Sequence, residues 1–330
     1  MPGVSTEARF RVNSVGLRGD ELTADKDLVV LALGGSTTEC VFLDQDETWP
    51  AILQKRLTQD GWKAWVGNAG LSGRTTRENV PQLRQLLAQL PATRIVVLLI
   101  GANDLVSRLS LGEQYRPMPV LDAETEALLV PKAFSMFPLR YASDLPIWQR
   151  TELWTRTSAA MRSLRLRVEH VEDQAGRSYV VRRERRRSAR RTDALPDLTT
   201  ALREYTENVE RMIAIAAGRV QLVFITQPAM WTDGLSPDLD ALLWIGEAGS
   251  RKEDPVYYSP RALAEGLERY DEALLRVCST HDLACLDLAS RLPKDASVFY
   301  DDLHFNRRGA ELVASIVGDF LSNRVLPRRR

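Results

Sequence analysis

The sequence predicts an α/β fold in which a central, mostly parallel sheet of five strands is wound on both faces with helices. Three observations predict it. Short, continuous apolar runs such as Leu28 to Leu33 (LVVLAL), Ile95 to Ile100 and Val220 to Thr226 (VQLVFIT) read as strands covered on both faces. They alternate with segments of helical spacing, the order that builds a parallel sheet. Three early strand ends run directly into glycine followed by small polar residues, where an open parallel sheet binds its ligands.

The elements follow in order. Residues 1–26 form an N-terminal arm, with turn signals across Phe10 to Gly19. Leu28 to Leu33 is the first strand and opens into Gly34-Gly35. Thr48 to Thr58 is helical, with Trp49, Ile52, Leu53 and Leu57 apolar, Thr48 placed to cap it and Pro50 in its first turn. Ala64 to Val66 is a weaker strand leading to Gly67-Asn68-Ala69-Gly70. Arg77 to Leu90 is helical, with Val80, Leu83, Leu86, Leu87 and Leu90 on one face. Ile95 to Ile100 ends in Gly101-Ala102-Asn103-Asp104. After an interruption, helices over Asp197 to Gly218, Ser259 to Thr280 and Asn306 to Leu321 flank strands Val220 to Thr226 and Leu283 to Leu288. The interruption, residues 105–196, breaks the alternation. Its Pro- and aromatic-containing start (Tyr115 to Trp148) and helix-like run (Thr151 to Gln174) read as a long helical insertion on the sheet's carboxyl edge, a cap or lid.

Composition removes several classes of function. The 330 residues suffice to bury a core without metal or disulfide support. With 44 Lys plus Arg against 44 Asp plus Glu the formal charge is zero, so no nucleic-acid partner is expected. No apolar run approaches the ~20 residues of a membrane-spanning helix, and no signal peptide is visible. Cys40, Cys278 and Cys285 are widely spaced and fit free thiols in a reducing compartment better than a disulfide framework. The expected location is cytoplasmic, and an exported or anchored form would require a leader that has been removed.

Chemistry concentrates at the glycine-bearing strand ends. In Gly34-Gly35-Ser36-Thr37-Thr38 the glycines allow a sharp turn that exposes the Ser36 hydroxyl at a helix N-terminus. On this loop alone Ser36 is as much a helix N-cap as a nucleophile. The order is neither the G-x-S-x-G elbow nor a Walker loop. An acyl-transfer intermediate needs donors aimed at its oxyanion, and the N–H groups of Ser36 and Gly70 with the Asn103 amide would supply three. Gly35, Asn68 and Asp104 support these loops, although either Asn taken alone is as readily a turn residue. Only three histidines are present. His304, before the last helix in Phe299-Tyr300-Asp301-Asp302-Leu303-His304, is the candidate base. Asp301, three residues earlier, is placed to accept its Nδ1–H and leave Nε2 for the serine proton. Asp302 is the competing acid, with a turn or capping role as its alternative. His281 suits a helix C-terminus, and His170 sits among the charged residues of the insertion.

Gly34-Gly35-Ser36-Thr37-Thr38, Asn68-Ala69-Gly70, Gly101-Ala102-Asn103-Asp104 and Asp301-Asp302-Leu303-His304 resemble blocks I, II, III and V of the SGNH (GDSL-type) hydrolases, in order across nearly the whole chain. The resemblance implies a single domain over residues 1–330 with a flavodoxin-like three-layer α/β/α fold. It implies an ester-cleaving site with Ser36 as nucleophile, His304 as base, Asp301 as its orienter, and Gly70 and Asn103 as oxyanion donors, with no cofactor and no metal. One departure is Gly35, where the G-D-S pattern has Asp. The expected activity is hydrolysis of a small-molecule or carbohydrate acyl ester, such as O-deacetylation. An O-acyltransferase using the same acyl-enzyme and a non-catalytic binding module on this scaffold are the alternatives.

Other features carry less. The Arg182 to Arg191 cluster reads as a solvated, flexible part of the lid before it reads as an anion site. Trp148 and Trp154 read as lid or core packing, and Cys40 as a buried thiol with no histidine near it in sequence.

Overall fold

The computed structural model describes residues 3–4, 8–119, 174–249 and 254–327. Five strands form the central sheet: β1 (Leu28–Gly34), β2 (Ala64–Gly70), β3 (Thr93–Leu99), β5 (Gln221–Ile225) and β7 (Ala284–Leu286). Their spatial order is β2-β1-β3-β5-β7, and every neighbouring pair is parallel. This is the flavodoxin-like order, in which the chain starts centrally, steps outward to β2 and returns past β1 to β3. All seven residues of β1 are buried, as are all seven of β2, because helices cover both sheet faces. The apolar run of β1 has no polar face to offer, which is why its sequence does not alternate.

The register positions the site. Gly34 is level with Gly70 on one side and with Leu99 on the other, so the loops leaving β1, β2 and β3 emerge side by side. The crossover helices are α2 (Trp49–Gln59), α3 (Thr76–Gln89), α4 (Ala102–Leu111), α6 (Thr199–Ala216), α8 (Pro260–Thr280) and α9 (Arg307–Phe320). Helices α2 and α9 pack together, and α3, α6, α8 and α4 form the other layer. Their caps follow the sequence. Thr48 accepts from Ala51 N at the start of α2, and Ser259 Oγ accepts from Ala262 N at the start of α8. Observed boundaries lie within a few residues of those read from the sequence, as fraying ends dictate; the largest difference is β2, whose strand continues through Asn68 to Gly70.

Two details depart from the sequence reading. The expected free thiols Cys278 and Cys285 instead form a disulfide. Helix α8 ends at Thr280, and a turn through Asp282, in the left-handed region at φ 50°, brings β7 back past the last helical turn. The two Cα atoms are thereby only 6.1 Å apart, well within bridging reach. Cys40 remains a buried thiol, pushed up to about 12 by burial.

The arginine cluster is the second departure. It lies on α5 (Gln174–Ser188) and β4 (Arg190–Thr192), and β4 pairs with β6 (Val256–Tyr258) in a small second sheet. Far from being uniformly solvated, Arg186 is 1% exposed and faces Asp240 at 3.6 Å and the Tyr257 ring. Arg183 donates to the carbonyls of Leu242 and Tyr300, Arg185 pairs with Glu247, and Arg191 grips Asp240. The planar guanidinium reads carbonyls and carboxylates with several donors at once, so these arginines dock α5 and β4 onto residues 240–247. Residues 120–173, which include most of the stretch read as Pro- and aromatic-containing, nearly all of the helix-like run, and Trp148, Trp154 and His170, lie outside the described residues.

The N-terminal arm is anchored to β2 and to the segment after β1. Arg18 makes a backbone bridge to Asn68 of β2 and donates its guanidinium to the carbonyls of Glu39, Cys40 and Leu43. Among the described residues no helix is long and apolar enough to cross a membrane.

The bridge between Cys278 and Cys285 closes a loop of seven-residue separation, which in the chain-entropy account is worth about 2–3 kcal/mol. Thiol titration of the denatured, unreduced protein is expected to find one thiol, and reductant is expected to lower the thermal midpoint. Three titratable thiols and an unchanged midpoint would contradict the bridge.

Candidate active site

The first turn after β1 is the short helix α1 (Ser36–Glu39). Gly35 is its N-cap, so Ser36 is the first helical residue and its hydroxyl does not serve as the cap. A Cβ at Gly35 would sit 2.3 Å from the Asn103 amide nitrogen. A side chain there would require that amide to shift. Helix α1 is held from several sides. Asn68 Nδ2 donates to the Thr38 carbonyl (2.9 Å), Trp49 Nε1 to the Thr37 carbonyl (3.1 Å), and the Thr37 hydroxyl to Gln227 Oε1 (3.2 Å).

His304 arrives from the far end of the chain, in a tight loop closed by Phe299 against Phe305 and by the Tyr300 N–H donating to the His304 carbonyl. The Ser36 Oγ lies 2.7 Å from His304 Nε2, and Nδ1 of the same ring lies 2.9 Å from both carboxylate oxygens of Asp301. A carboxylate can only accept, so the neutral ring carries its proton on Nδ1 and offers a lone pair to the serine. Asp301 also accepts from the backbone N–H groups of Leu303 and His304 and from Trp244 Nε1 (2.9 Å). Burial works against its charge, but the His304 ring, the Trp244 indole and the His304 backbone N–H together hold the Asp301 carboxyl below the ordinary range. Burial likewise pushes His304 down; the Asp301 charge and hydrogen bond, with Asp302 and Glu39 behind them, outweigh it and raise the ring above its usual 6.5. The Tyr300 ring stacks on the imidazole, 5.5 Å between centroids.

The oxyanion donors expected from the sequence are not all placed alike. The Ser36 N–H stands at the α1 N-terminus. Asn103 follows Gly101 in the first turn of α4, half-buried, and donates to the Arg74 carbonyl (2.8 Å), leaving its second amide hydrogen available. Gly70, the third expected donor, lies inside β2. Its N–H donates to Asn68 Oδ1 at 3.0 Å, and a Cβ there would meet Glu39 N at 2.3 Å. It is thus a close-packing glycine between β2 and α1, and its N–H is already engaged. The loop that follows runs back to Asn103 through Gly73 and Arg74. Gly73 has φ +76° with open space around its Cα, and no acceptor among the described residues meets its N–H. Gly73 is the second glycine after Asn68 in the same stretch, Asn68 to Gly73. Asp104 is buried and ties α4 to the start of α3, accepting from the Thr76 N–H (3.0 Å) and hydroxyl (2.6 Å); burial pushes its carboxyl up to about 7.

The other candidates stand elsewhere. Asp302 does not reach His304. It accepts from Trp231 Nε1, Trp244 N and Ile245 N, and burial followed by the neighbouring Asp301 charge pushes it up to about 6. His281 caps the end of α8 and contacts Glu210 at 2.7 Å. Trp244 is the contributor that sequence reasoning missed, since nothing in its own stretch of chain marks it.

The family description "GDSL-like Lipase/Acylhydrolase family" matches residues 32–312, which contain every residue just described at the strand ends and the His304 loop. The chain belongs to this family. This is the GDSL-type (SGNH) family that the strand-end motifs and the Asp301–His304 loop resemble. Esterase TesA of Pseudomonas aeruginosa is 40% identical over 76 residues, covering 23% of this chain and 37% of that protein. Among solved structures, a member of the lipolytic G-D-S-L family from Veillonella parvula covers 90% of this chain and 99% of its own, at 11% identity and a TM-score of 0.47. Axe2, an acetylxylan esterase from Geobacillus stearothermophilus, covers 92% and 98%, at 13% identity and a TM-score of 0.45.

Because Asp301 is what lifts His304 against the effect of burial, the acid limb of kcat/KM is expected above the ordinary histidine value, activity being lost as pH falls through it. In Asp301→Asn the limb moves to lower pH and kcat falls by roughly 10³–10⁴-fold. A pH–rate profile with an unmoved limb would contradict this assignment.

Proposed function

We propose that the protein hydrolyses carboxylic esters of short acyl groups, with Ser36 as nucleophile, His304 as general base and acid, and Asp301 as the orienter of His304. The observation that carries the proposal is the continuous chain from Ser36 Oγ to His304 Nε2 (2.7 Å) and from Nδ1 to Asp301 (2.9 Å) across 268 residues of sequence. Ser36 Oγ attacks the acyl carbonyl while Nε2 takes its proton. The tetrahedral oxyanion is met by the N–H groups of Ser36 and Gly73 and by Asn103 Nδ2, with Gly73 in the role expected of Gly70. His304 returns the proton to the departing alkoxide, which leaves as the alcohol. Water then attacks the acyl-enzyme by the same steps in reverse and frees Ser36 and the acid.

The alcohol could be a small molecule or an acetylated carbohydrate, and release of acetate from an acetylated oligosaccharide, with and without a polyol acceptor, separates hydrolysis from transfer.

Ser36→Ala is expected to remove p-nitrophenyl acetate turnover by several powers of ten, and Asn103→Ala to lower kcat by about 10²–10³-fold with little change in KM. Full activity in the serine variant would overturn the nucleophile. A phosphonate adduct whose oxygen lies against Gly70 N rather than Gly73 N would overturn the revised oxyanion hole.

A further inference from the structure

We propose that Trp244 is a positioning residue for the catalytic carboxylate, and that helix α5 of the insertion holds it there. The inference rests on the Ser36–His304–Asp301 reading above. Asp301 Oδ2 takes the indole N–H of Trp244 at 2.9 Å, the one side-chain donor to Asp301 besides His304 among the described residues. Among the described residues, every other donor to that carboxylate comes from its own loop, the N–H groups of Leu303 and His304. Trp244 therefore ties the His304 loop to a different stretch of chain.

The placement of Trp244 is over-determined. Its backbone N–H donates to Asp302 Oδ2 at 2.7 Å, and that of Ile245 to the same oxygen at 3.2 Å. Asp302 is in turn fixed by Trp231 Nε1, and its carbonyl accepts from Met230 N. Two adjacent aspartates thus divide the work: Asp302 holds the Trp244 backbone, and the Trp244 side chain holds Asp301. The indole ring is clasped by α5. Tyr179 meets it edge-on at 5.4 Å, and the Arg182 guanidinium lies over its face at 4.7 Å. Tyr179 continues through Phe42 to Tyr300, the ring stacked on His304. A cation over an indole face draws electron density from the ring and strengthens the N–H as a donor. The Arg183 contacts to the Leu242 and Tyr300 carbonyls fasten the same helix to both loops. The end of the insertion is by this account part of the triad's support.

The sign of the effect follows from charge. The indole N–H stabilises the Asp301 anion; without it the carboxylate is more basic and attracts the His304 proton more strongly. The charged groups facing His304 are Asp301, Asp302 and Glu39; Tyr179 and Tyr300 lie against Asp301, Arg186 lies near Asp302, and Arg182 lies over Trp244. None of these is altered by Trp244→Phe, which keeps a ring and deletes only the donor.

The test is the pH profile of kcat/KM, with kcat and KM measured separately, for the full-length protein and p-nitrophenyl acetate. Trp244→Phe is expected to lower kcat by roughly 10-fold, leave KM unchanged, and move the acid limb to higher pH. Tyr179→Leu, which loosens the clasp without changing charge, is expected to move the limb in the same direction by less, and it carries the test if Trp244→Phe does not fold. A limb that stays at the wild-type pH in both variants, whether or not kcat or stability falls, overturns the proposal. An inactive wild type would overturn the Ser36 reading instead, so the two failures are distinguishable.

Discussion

Strands β1, β2 and β3 end at the same height because parallel pairing fixes Gly34 opposite Gly70 and Leu99. From that register the chain leaves the sheet three times within a few ångströms, and it does so at residues small enough to let the loops touch. Gly35 admits the Asn103 amide, and Gly70 admits the backbone of α1. The positions of Ser36, Asn103 and Gly73 all derive from this level edge. A one-residue slip of β2 would exchange its buried faces and carry the Asn68 bond to α1 away with it.

On that edge the protein assembles an electrostatic balance that water could not support. Asp301 and Asp302 are both fully buried neighbours, yet their environments push them apart, one below the ordinary carboxylate range and the other up to about 6. Divergent environments of this kind are how a site divides tasks between like groups. Asp301, fed by His304 and three further N–H donors, keeps its charge and lifts the histidine. Asp302, fed by Trp231, Trp244 and Ile245, becomes a strut. The arginines of α5 close the arrangement from outside by gripping the carbonyls and carboxylates of residues 240–247.

Much of this was legible in the sequence, for identifiable reasons. Short, continuous, β-branched apolar runs bounded by glycine or proline read as strands covered on both faces, so β1, β3 and β5 and the helices between them could be read directly. Asp301 and His304 could be paired because three residues span one turn. What escaped depended on contacts remote in sequence. The length of β2 and the close packing of Gly70 arise from the approach of α1, a different stretch of chain. The Cys278–Cys285 bridge needed the sharp reversal at Asp282. Trp244 lies 57 residues from Asp301, and Arg186 is buried by Tyr257 and Asp240 rather than by any feature of its charged neighbourhood.

The central claim is that one serine, activated by one histidine, sits at this edge. Labelling the folded, active protein with a fluorophosphonate and mapping the adduct by peptide mass spectrometry tests it most directly, because only an activated hydroxyl reacts. The account predicts a single adduct on Ser36, lost in His304→Ala and on denaturation. An active enzyme labelled at another serine, or equally well without His304, would contradict it.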